Sequence, residues 1–231
     1  MIPIVTRSPV AYHHDLAAAI DTSLERALAG DSKVTEDLFQ LIGMSGRRYR
    51  SFINNLIEAV PDPRYLEVGS WAGSTLCSAI FGNSVRAFAI DNWSQFGGPQ
   101  GQFFANVGRF TNANAAVSFL NSDFRAVNYN TIGQFNVYLF DGPHKKLDQY
   151  DGLAMAREAL DDTFVFIVDD WNWQEVREGT FDAIRDARFE QIHAIEIRTT
   201  LDDTHPGDSG LPRDQASDWH NGYFISVLRK V

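Results

Sequence analysis

The sequence predicts an α/β fold: a doubly wound, mostly parallel sheet that ends in an antiparallel hairpin and is preceded by a helical N-terminal cap. From residue 65 onward, short apolar runs alternate with amphipathic stretches, which is typical of parallel strands joined by right-handed helical crossovers. The last two apolar runs, 192–199 and 223–228, have no helix between them, so we expect them to pair antiparallel. The N-terminal quarter shows helical spacing instead. We therefore predict one domain, with the cap over 1–62 and the sheet over 63–231.

Each element follows from the local pattern of apolar residues and breakers. We expect an irregular arm over 1–12 and a polar loop over 201–220. Gly30 is expected to end the first helix, and Pro61 the third. The cap would cover one face of the sheet, and the alternative is a lid over a ligand site. Helices are predicted at 15–29, 35–42, 47–60, 102–110, 145–160 and 174–187, and the parallel strands at 65–68, 86–90, 116–120, 135–140 and 163–168.

Composition limits the class of protein. The 231 residues suffice for one domain, and 44% hydrophobic and 22% charged residues are ordinary for a globular chain. The net charge of −10 argues against a nucleic-acid partner, which normally requires a basic face, and favours small neutral or cationic substrates. The single cysteine, Cys77, excludes an internal disulfide and is expected in the core. With no signal peptide and no apolar run of membrane-spanning length, we expect a cytoplasmic protein with no membrane partner, and a homodimer as the commonest oligomer.

The stretch 64–76 joins the first strand of this sheet to a helix through a glycine turn. Gly69 can adopt backbone angles that a side chain forbids and lets a ligand approach the main chain, while Gly73 allows the helix to pack against the strand. Ser74 is suited to opening that helix. The spacing is not the G-x-G-x-x-G of a dinucleotide site, and no Gly-Lys-Ser/Thr follows. Because an acid, Glu67, stands two residues before the first glycine, the turn favours a ligand with cationic or hydroxyl groups over a pyrophosphate.

Four of the predicted strands end in aspartate, namely Asp91, Asp123, Asp141 and Asp169. Because the carboxyl ends of parallel strands meet at one crevice, we expect these side chains to cluster around one site. An acid about twenty residues after the glycines can accept both hydroxyls of a ribose, and Asp91 stands at that distance. Taken singly, each aspartate could also be a solvated turn residue or a helix cap.

These motifs resemble those of the class I methyltransferases that use S-adenosylmethionine. Their first motif is an acid, one residue, a glycine, a short variable turn and a second glycine. The resemblance covers 65–231 and implies a Rossmann-like sheet. It implies that Asp91 holds the ribose, that Asp123 reaches the adenine amino group beside Phe124, and that Glu67 lies near the methionine end or the ribose. The residues expected to bind the cofactor are Glu67, Gly69, Ser70, Trp71, Gly73, Ser74, Asp91, Asn92, Asp123, Phe124 and Asp141.

Three carboxylates at adjacent strand ends, Asp141, Asp169 and Asp170, predict a cation between them because they would otherwise repel one another. Mg²⁺ suits such an all-oxygen set. The sequence is similar here to the metal-dependent O-methyltransferases of the catechol and macrocin types. It departs from the catechol type in having Asp170 where Asn is usual, and the lysine base of that type has no counterpart that we can identify. The alternative is that Asp170 caps the following helix and that no metal is needed.

His144 follows Asp141 by three residues and is the candidate general base, although it could also cap the next helix or ligate the metal. With Asp141 and Asp169 it completes the expected catalytic set. His205 and His220 flank the polar loop and are candidates for contact with a substrate. The tryptophans near the strand ends fit either a stacking pocket or core filling.

The sequence as a whole predicts an S-adenosylmethionine-dependent methyltransferase acting on a small-molecule hydroxyl of a sugar, phenol or natural product, with Mg²⁺ assistance left open. One alternative is an NAD-binding oxidoreductase, which the missing third glycine disfavours. The other is a non-catalytic cofactor-binding or scaffolding protein of the same fold.

Overall fold

The computed structural model describes residues 3–8, 14–209 and 217–231. These residues form a single eight-stranded mixed sheet with helices packed on both faces. The strands are β1 (Ile4–Arg7), β2 (Arg64–Val68), β3 (Val85–Asp91), β4 (Ala115–Asn121), β5 (Phe135–Phe140), β6 (Leu160–Val168), β7 (Phe189–Arg198) and β8 (Tyr223–Lys230). The helices are α1 (Asp15–Ala29), α2 (Glu36–Phe39), α3 (Arg47–Ala59), α4 (Ser74–Ile80), α5 (Gln100–Phe110), α6 (Lys146–Ala156) and α7 (Gln174–Asp186).

The strand order is β1-β7-β8-β6-β5-β2-β3-β4. Strands β2 to β6 run parallel, and β8 lies antiparallel between β6 and β7, which confirms the predicted parallel sheet with its C-terminal hairpin. The chain starts the parallel part at β2, moves outward to β4 and then returns to β5 on the other side of β2. Such a reversal opens a crevice at the carboxyl ends of the two central strands.

Burial on both faces explains why the central strands read as continuous apolar runs. β5, for example, is buried at all six positions. One face packs against α1, α3 and α4 around Tyr65, Leu139 and Ile167, and the other packs against α6 and α7 around Leu66, Tyr138 and Phe166. The helices α1 and α3 thus share a core with the sheet, while Met44 between α2 and α3 reaches the crevice.

The predicted irregular arm is wrong for its described part, because Ile4–Arg7 pairs antiparallel with β7 at the edge of the sheet. A four-residue exposed strand has no measurable periodicity, and its partner residue for Ile4, Arg198, lies at the other end of the chain. The helix predicted to reach residue 160 ends earlier, since the chain tightens into a 3₁₀ turn at Arg157–Ala159 before β6. Gly30 ends α1 as predicted, in the left-handed conformation. None of the helices within the described ranges has the length and apolarity to cross a membrane.

Candidate functional site

The glycine turn after β2 is held by the acid at the end of β3. One oxygen of Asp91, Oδ2, accepts from the backbone N–H groups of Ser70 (2.8 Å) and Trp71 (2.7 Å), and Oδ1 accepts from that of Trp93 (2.6 Å). The turn needs this support because Trp71 and Trp93 both have positive φ. Asp91 therefore fixes the floor of the crevice, and it remains half-buried at the crevice wall.

Gly69 is required by the packing of the chain itself. Its φ is +87°, and a Cβ built there would lie 1.8 Å from the carbonyl oxygen of Asp141. We expected a ligand to approach the main chain at Gly69, but the backbone directly after β5 occupies that space. At Gly73, where φ is +82°, a Cβ would lie 3.0 Å from the ring of Phe103, so α5 packs directly on the turn.

A cavity of about 530 Å³ lies at the carboxyl ends of β2, β3, β5 and β6, which is within the usual size range of small-molecule sites. Six aspartates line it, and none of its described lining residues is a lysine or an arginine. Three histidines, His144, His205 and His220, complete the titratable part of the lining. The lining aspartates are Asp91, Asp123, Asp141, Asp169, Asp170 and Asp203.

Most of the predicted cofactor residues line this cavity. They are Gly69, Trp71, Asp91, Asn92, Asp123, Phe124 and Asp141. Asp123 sits at the exposed rim, where it accepts from the backbone N–H of Arg125 (2.8 Å), and Phe124 is buried beside it. The loop after β3 folds over the turn, because the indole of Trp71 donates to the carbonyl of Phe96 (3.0 Å).

The other four predicted cofactor residues, Glu67, Ser70, Gly73 and Ser74, are not among the described lining residues. Ser74 is buried under the segment before α3, with its hydroxyl 3.2 Å from that of Ser45. The signal for these four is membership of the glycine motif (Glu67 and Gly73) or proximity to it (Ser70 and Ser74), which does not tell which residues of the turn face the cavity.

Glu67 is fully buried beneath the turn. The Tyr65 hydroxyl donates to its Oε2 at 2.6 Å, and its Oε1 has no hydrogen-bond partner among the described residues. Burial disfavours the charged form and raises the pKa of this carboxyl to about 7, although the hydrogen bond from the Tyr65 hydroxyl acts in the opposite direction. Glu67 therefore titrates near neutral pH.

The three acids of the predicted metal site lie together. Burial, reinforced by the negative charges of Asp169 and Asp170, raises the pKa of Asp141 well above its usual range. Burial and the charge of Asp170 raise the pKa of Asp169 in the same way. A divalent cation would relieve both effects, so the donor set fits one chemically.

Two histidines approach the same acids. Nε2 of His144 lies 2.7 Å from Oδ2 of Asp170, and Nε2 of His220 lies 3.9 Å from its Oδ1. Burial acts to raise the pKa of Asp170, but the hydrogen bond with His144 and the interactions with His220 and Asn221 outweigh it and lower that pKa. Two groups of three side chains could each hold a metal ion, because their ligand atoms lie within 4.8 Å of one another. The first group is Asp141, His144 and Asp170, and the second is Asp169, Asp170 and His220. The candidate donor set therefore contains nitrogen as well as oxygen.

Asp170 has φ +58°, which is uncommon for a residue other than glycine. The Asn221 side chain donates to Oδ1 of Asp170 at 2.8 Å, and the backbone N–H of Asp170 donates to Oδ1 of Asp169 at 2.7 Å. These contacts hold the carboxylate toward the cavity. Because the helix α7 begins only at Gln174, with Trp173 as its cap residue, Asp170 does not cap it.

A pair of tyrosines that sequence reasoning missed lies under the acids. The rings of Tyr49 and Tyr223 stack at 3.6 Å with 7° between their planes, and both side chains are buried. Burial and the charge of Asp169 raise the pKa of each hydroxyl well above its usual value. Tyr49 is in the helix α3 and Tyr223 in β8, so only the fold brings them together. No sequence signal distinguishes them from core tyrosines.

The residues on either side of the polar loop are anchored through Asn172. This buried side chain donates to Thr199 Oγ1 (2.8 Å) and Asn221 Oδ1 (2.9 Å), and it accepts from the backbone N–H of Thr199 (2.9 Å). The loop ends thereby carry Thr204, His205 and His220 to the cavity. The middle of the predicted loop, 210–216, lies outside the described residues.

The comparisons with known proteins show the fold of this chain. No family model matches the sequence, and no curated protein matches it. Among solved structures it is similar to TrmN from Thermus thermophilus (15% identity, TM-score 0.56), with 84% of this chain and 52% of TrmN covered. This chain spans about half the length of TrmN and of the two other structures that match first.

Two further structures match over nearly their whole length. The O-methyltransferase from Bacillus cereus in complex with SAH (S-adenosylhomocysteine) shares 14% identity at a TM-score of 0.54, with 95% of this chain and 94% of that chain covered. PH1948 from Pyrococcus horikoshii, a proposed RNA methyltransferase, shares 15% identity at a TM-score of 0.53, with 91% and 99% covered. At these identities the likeness establishes a Rossmann-like methyltransferase fold, which is shared by enzymes with different acceptors.

Proposed function

We propose that the chain is an S-adenosylmethionine-dependent methyltransferase that modifies a hydroxyl group of a small molecule. The observation that carries the proposal is the cavity lining: six aspartates and, among the described lining residues, no lysine or arginine. Such a site repels the pyrophosphate of NAD and attracts a ligand with positive charge and hydroxyl groups. S-adenosylmethionine has a sulfonium, an ammonium group and two ribose hydroxyls. The methyltransferase fold of the solved neighbours is consistent with this choice.

In this proposal the cofactor lies along the glycine turn. Asp91, which has an oxygen lone pair to spare beyond its three backbone hydrogen bonds, accepts from the ribose. Asp123 and Phe124 hold the adenine at the rim. Asp141 faces the positively charged end. When bound, S-adenosylmethionine supplies the methyl group, carried on its sulfonium sulfur.

His144 is the proposed general base. It lies in the cavity wall, and the carboxylate of Asp170, 2.7 Å from its Nε2, orients its ring. It would accept the proton of the acceptor hydroxyl as the oxygen–methyl bond forms and the carbon–sulfur bond of the donor breaks. The products are then the methyl ether and S-adenosylhomocysteine.

The acids Asp141, Asp169 and Asp170 are proposed to hold a divalent cation, with Mg²⁺ as the expected ion. Bound there, the cation would lower the pKa of the acceptor hydroxyl. The raised pKa values of Asp141 and Asp169 support the proposal, because they reflect crowded negative charge that a cation would relieve. The proximity of His144 and His220 means that an ion with affinity for nitrogen belongs in the same test.

A small-molecule acceptor is favoured over RNA by charge. The chain has 30 acidic and 20 basic residues, and the cavity lining repeats this imbalance at the site itself. A phosphate backbone would meet repulsion at both. The expected acceptors are neutral or cationic hydroxyl compounds such as phenols and sugars.

The decisive experiment is calorimetry of the purified chain with S-adenosylhomocysteine and, separately, with NAD. Binding of the first alone supports the proposal, whereas binding of NAD alone would establish the oxidoreductase alternative. The test variant is Asp91→Asn, which alters the site. Its matched control is Asp186→Asn, which alters an exposed acid of α7 that contacts Arg185. Only the first should weaken binding.

An acceptor screen then separates an enzyme from a non-catalytic binding protein. Phenols, sugars, amines and RNA are incubated with labelled S-adenosylmethionine, and methyl transfer is measured. Transfer to a hydroxyl compound supports the proposal. Cofactor binding without transfer to any of the four classes would favour the non-catalytic alternative, and transfer to RNA alone would refute the small-molecule acceptor.

A further inference from the structure

One segment of the chain is almost free of charge. Among the 31 residues from 92 to 122 the only charged residue is Arg109, although 22% of the whole chain is charged. This segment forms the loop after β3, the helix α5 and the strand β4, at one edge of the sheet. Loss of charge over an exposed region is typical of the centre of a protein–protein interface.

The strand β4 is an unprotected sheet edge. It is last in the strand order and pairs with β3 alone among the described strands. Its seven residues include no proline and no charged residue, the two features that usually prevent an edge from pairing with another chain. The opposite edge differs, because β1 has only four residues and contains Arg7, which contacts Asp21.

Two phenylalanines form an exposed ridge beside this edge. Phe119 of β4 and Phe104 of α5 are 49% and 39% exposed, and their rings meet edge-to-face with centroids 4.7 Å apart. Behind them the buried Phe103 contacts both rings. Phe103 thus supports both rings from behind, while part of their apolar surface stays exposed.

We propose that a second copy of this chain docks on β4, so that the two β4 strands pair antiparallel about a twofold axis and the sheet continues through the dimer. An edge strand is complementary to itself in this arrangement, since each copy offers the same unpaired N–H and C=O groups. Two copies that each have a net charge of −10 repel one another, so contact is least unfavourable on the face that lacks charge. This inference is independent of the proposed function.

The size of the surface suits this occupant. Of the 22 residues in 100–121, all are exposed or half-exposed except Phe103, Asn106 and Phe110. The remaining 19 residues (22 less 3) approach the roughly 20–30 residues that each partner contributes to a stable interface. With the axis at Ser118, the middle of β4, Val117 would stand opposite the partner's Phe119, a favourable β-branched–aromatic pair.

The first test measures mass by light scattering after size exclusion over a wide range of concentration. The wild type should be a dimer, and Phe119→Lys should be a monomer because it places a charge on the edge. Leu147→Lys is the matched control, since Leu147 is a 65% exposed apolar residue on α6, away from this edge. Circular dichroism checks that the variants fold. A monomeric wild type, or a dimer that Phe119→Lys leaves intact, would overturn the proposal.

The second test uses the scarcity of cysteine. Cys77 is buried, so the wild type should not cross-link under mild oxidation. Ser118→Cys should form a disulfide-linked dimer, because residues opposite one another in antiparallel strands lie within disulfide range. Ser94→Cys, at an exposed position in the loop before α5, should not. Absence of the Ser118→Cys cross-link, or equal cross-linking of both variants, would exclude pairing of the two β4 strands about Ser118.

Discussion

At the scale of single residues, Asp91 shows how one carboxylate can serve both the fold and a ligand. Its three backbone hydrogen bonds hold the glycine turn and the start of the following loop. An acid at this position therefore has a structural role whether or not the chain binds a ligand. The two roles can be separated only by measuring stability and binding on the same variants.

We expect Asp91→Ala to lower the free energy of unfolding by about 3 kcal/mol, because three backbone donors lose a charged acceptor. The affinity for S-adenosylhomocysteine should fall by about tenfold or more. Asp91→Asn, which keeps one acceptor oxygen, should be intermediate in both. Chemical denaturation and calorimetry provide the two measurements. An affinity within about twofold of the wild type would move the ribose site elsewhere.

Glu67 should make the stability of the protein depend on pH near neutrality. Its pKa is about 7 in the folded chain and near 4.5 in the unfolded chain, so the folded state holds an extra proton between these values. The free energy of unfolding should therefore fall as pH rises from about 4.5 to about 7, by roughly 3 kcal/mol. In Glu67→Gln this component is absent. The difference in stability between the variant and the wild type should thus move in favour of the variant across that range.

Denaturation of both proteins at several pH values checks this expectation. Taking the difference between them removes the contribution of Asp169 and most of that of Asp141, whose pKa is raised mainly by burial, Asp169 and Asp170 and less by Glu67. A difference that does not change between pH 5 and pH 8 would mean that Glu67 is charged throughout.

At the scale of elements, the site depends on connections that do not follow the chain. The turn after β2 is hydrogen-bonded to the end of β3, and the turn after β6 is hydrogen-bonded to the residues that flank the polar loop. Asn172 makes the second connection, with three hydrogen bonds to Thr199 and Asn221. The loop ends can therefore keep their place at the cavity although the loop has no regular structure between 201 and 205.

Asn172→Ala should destabilise the protein by about 2 kcal/mol or more, since it leaves buried donors and acceptors without partners. It should also expose the loop to proteolysis, because its ends lose their attachment. Asn130→Ala, at an exposed position, is the matched control and should change neither property. Thermal melting and limited proteolysis are the measurements, and an unchanged melting temperature would show that the connection is redundant.

At the scale of the whole molecule, the main electrostatic feature is an excess of negative charge that is concentrated at one crevice. The chain has a net charge of −10, and six of its aspartates lie together in the lining of the cavity. Such crowding lowers the stability of the folded state unless a cation or a protonated group compensates it.

Addition of Mg²⁺ should therefore raise the melting temperature. A cation that binds only the folded state, at a hundred times its dissociation constant, stabilises it by about 2.7 kcal/mol, or about 5–10 °C for a chain of this size. EDTA should reverse the shift. Mn²⁺ and Zn²⁺ are run in parallel because His144 and His220 adjoin the acids.

Asp169→Asn separates this effect from general screening by salt. Without added metal the variant should be more stable than the wild type, because Asn has no carboxyl whose ionisation the buried and crowded site opposes. With metal it should gain less stability, because one ligand is gone. An equal shift in both proteins, or no shift with any of the ions, would refute a cation at these acids.

Local patterns in the sequence suffice to predict the order of the elements from α1 to β8 and the acids at the ends of the strands. Strands that are buried on both faces, such as β5, are mostly apolar. Gly30 ends α1 because glycine readily adopts the left-handed conformation. Parallel strands bring their carboxyl ends to the same edge of the sheet, whatever their order in it.

Which of these residues reach the cavity became clear only from the fold, because it depends on contacts between parts that are distant in the chain. Glu67 and Ser74 adjoin the glycines in sequence yet are buried beneath the turn, while His220 and Asn221 arrive at the acids from fifty residues away. The strand β1 could not be predicted either, since four exposed residues have no pattern of their own and pair only because β7 offers an edge. The stack of Tyr49 on Tyr223 likewise exists only once α3 packs against β8, since burial and charge at a site are properties of the assembled fold.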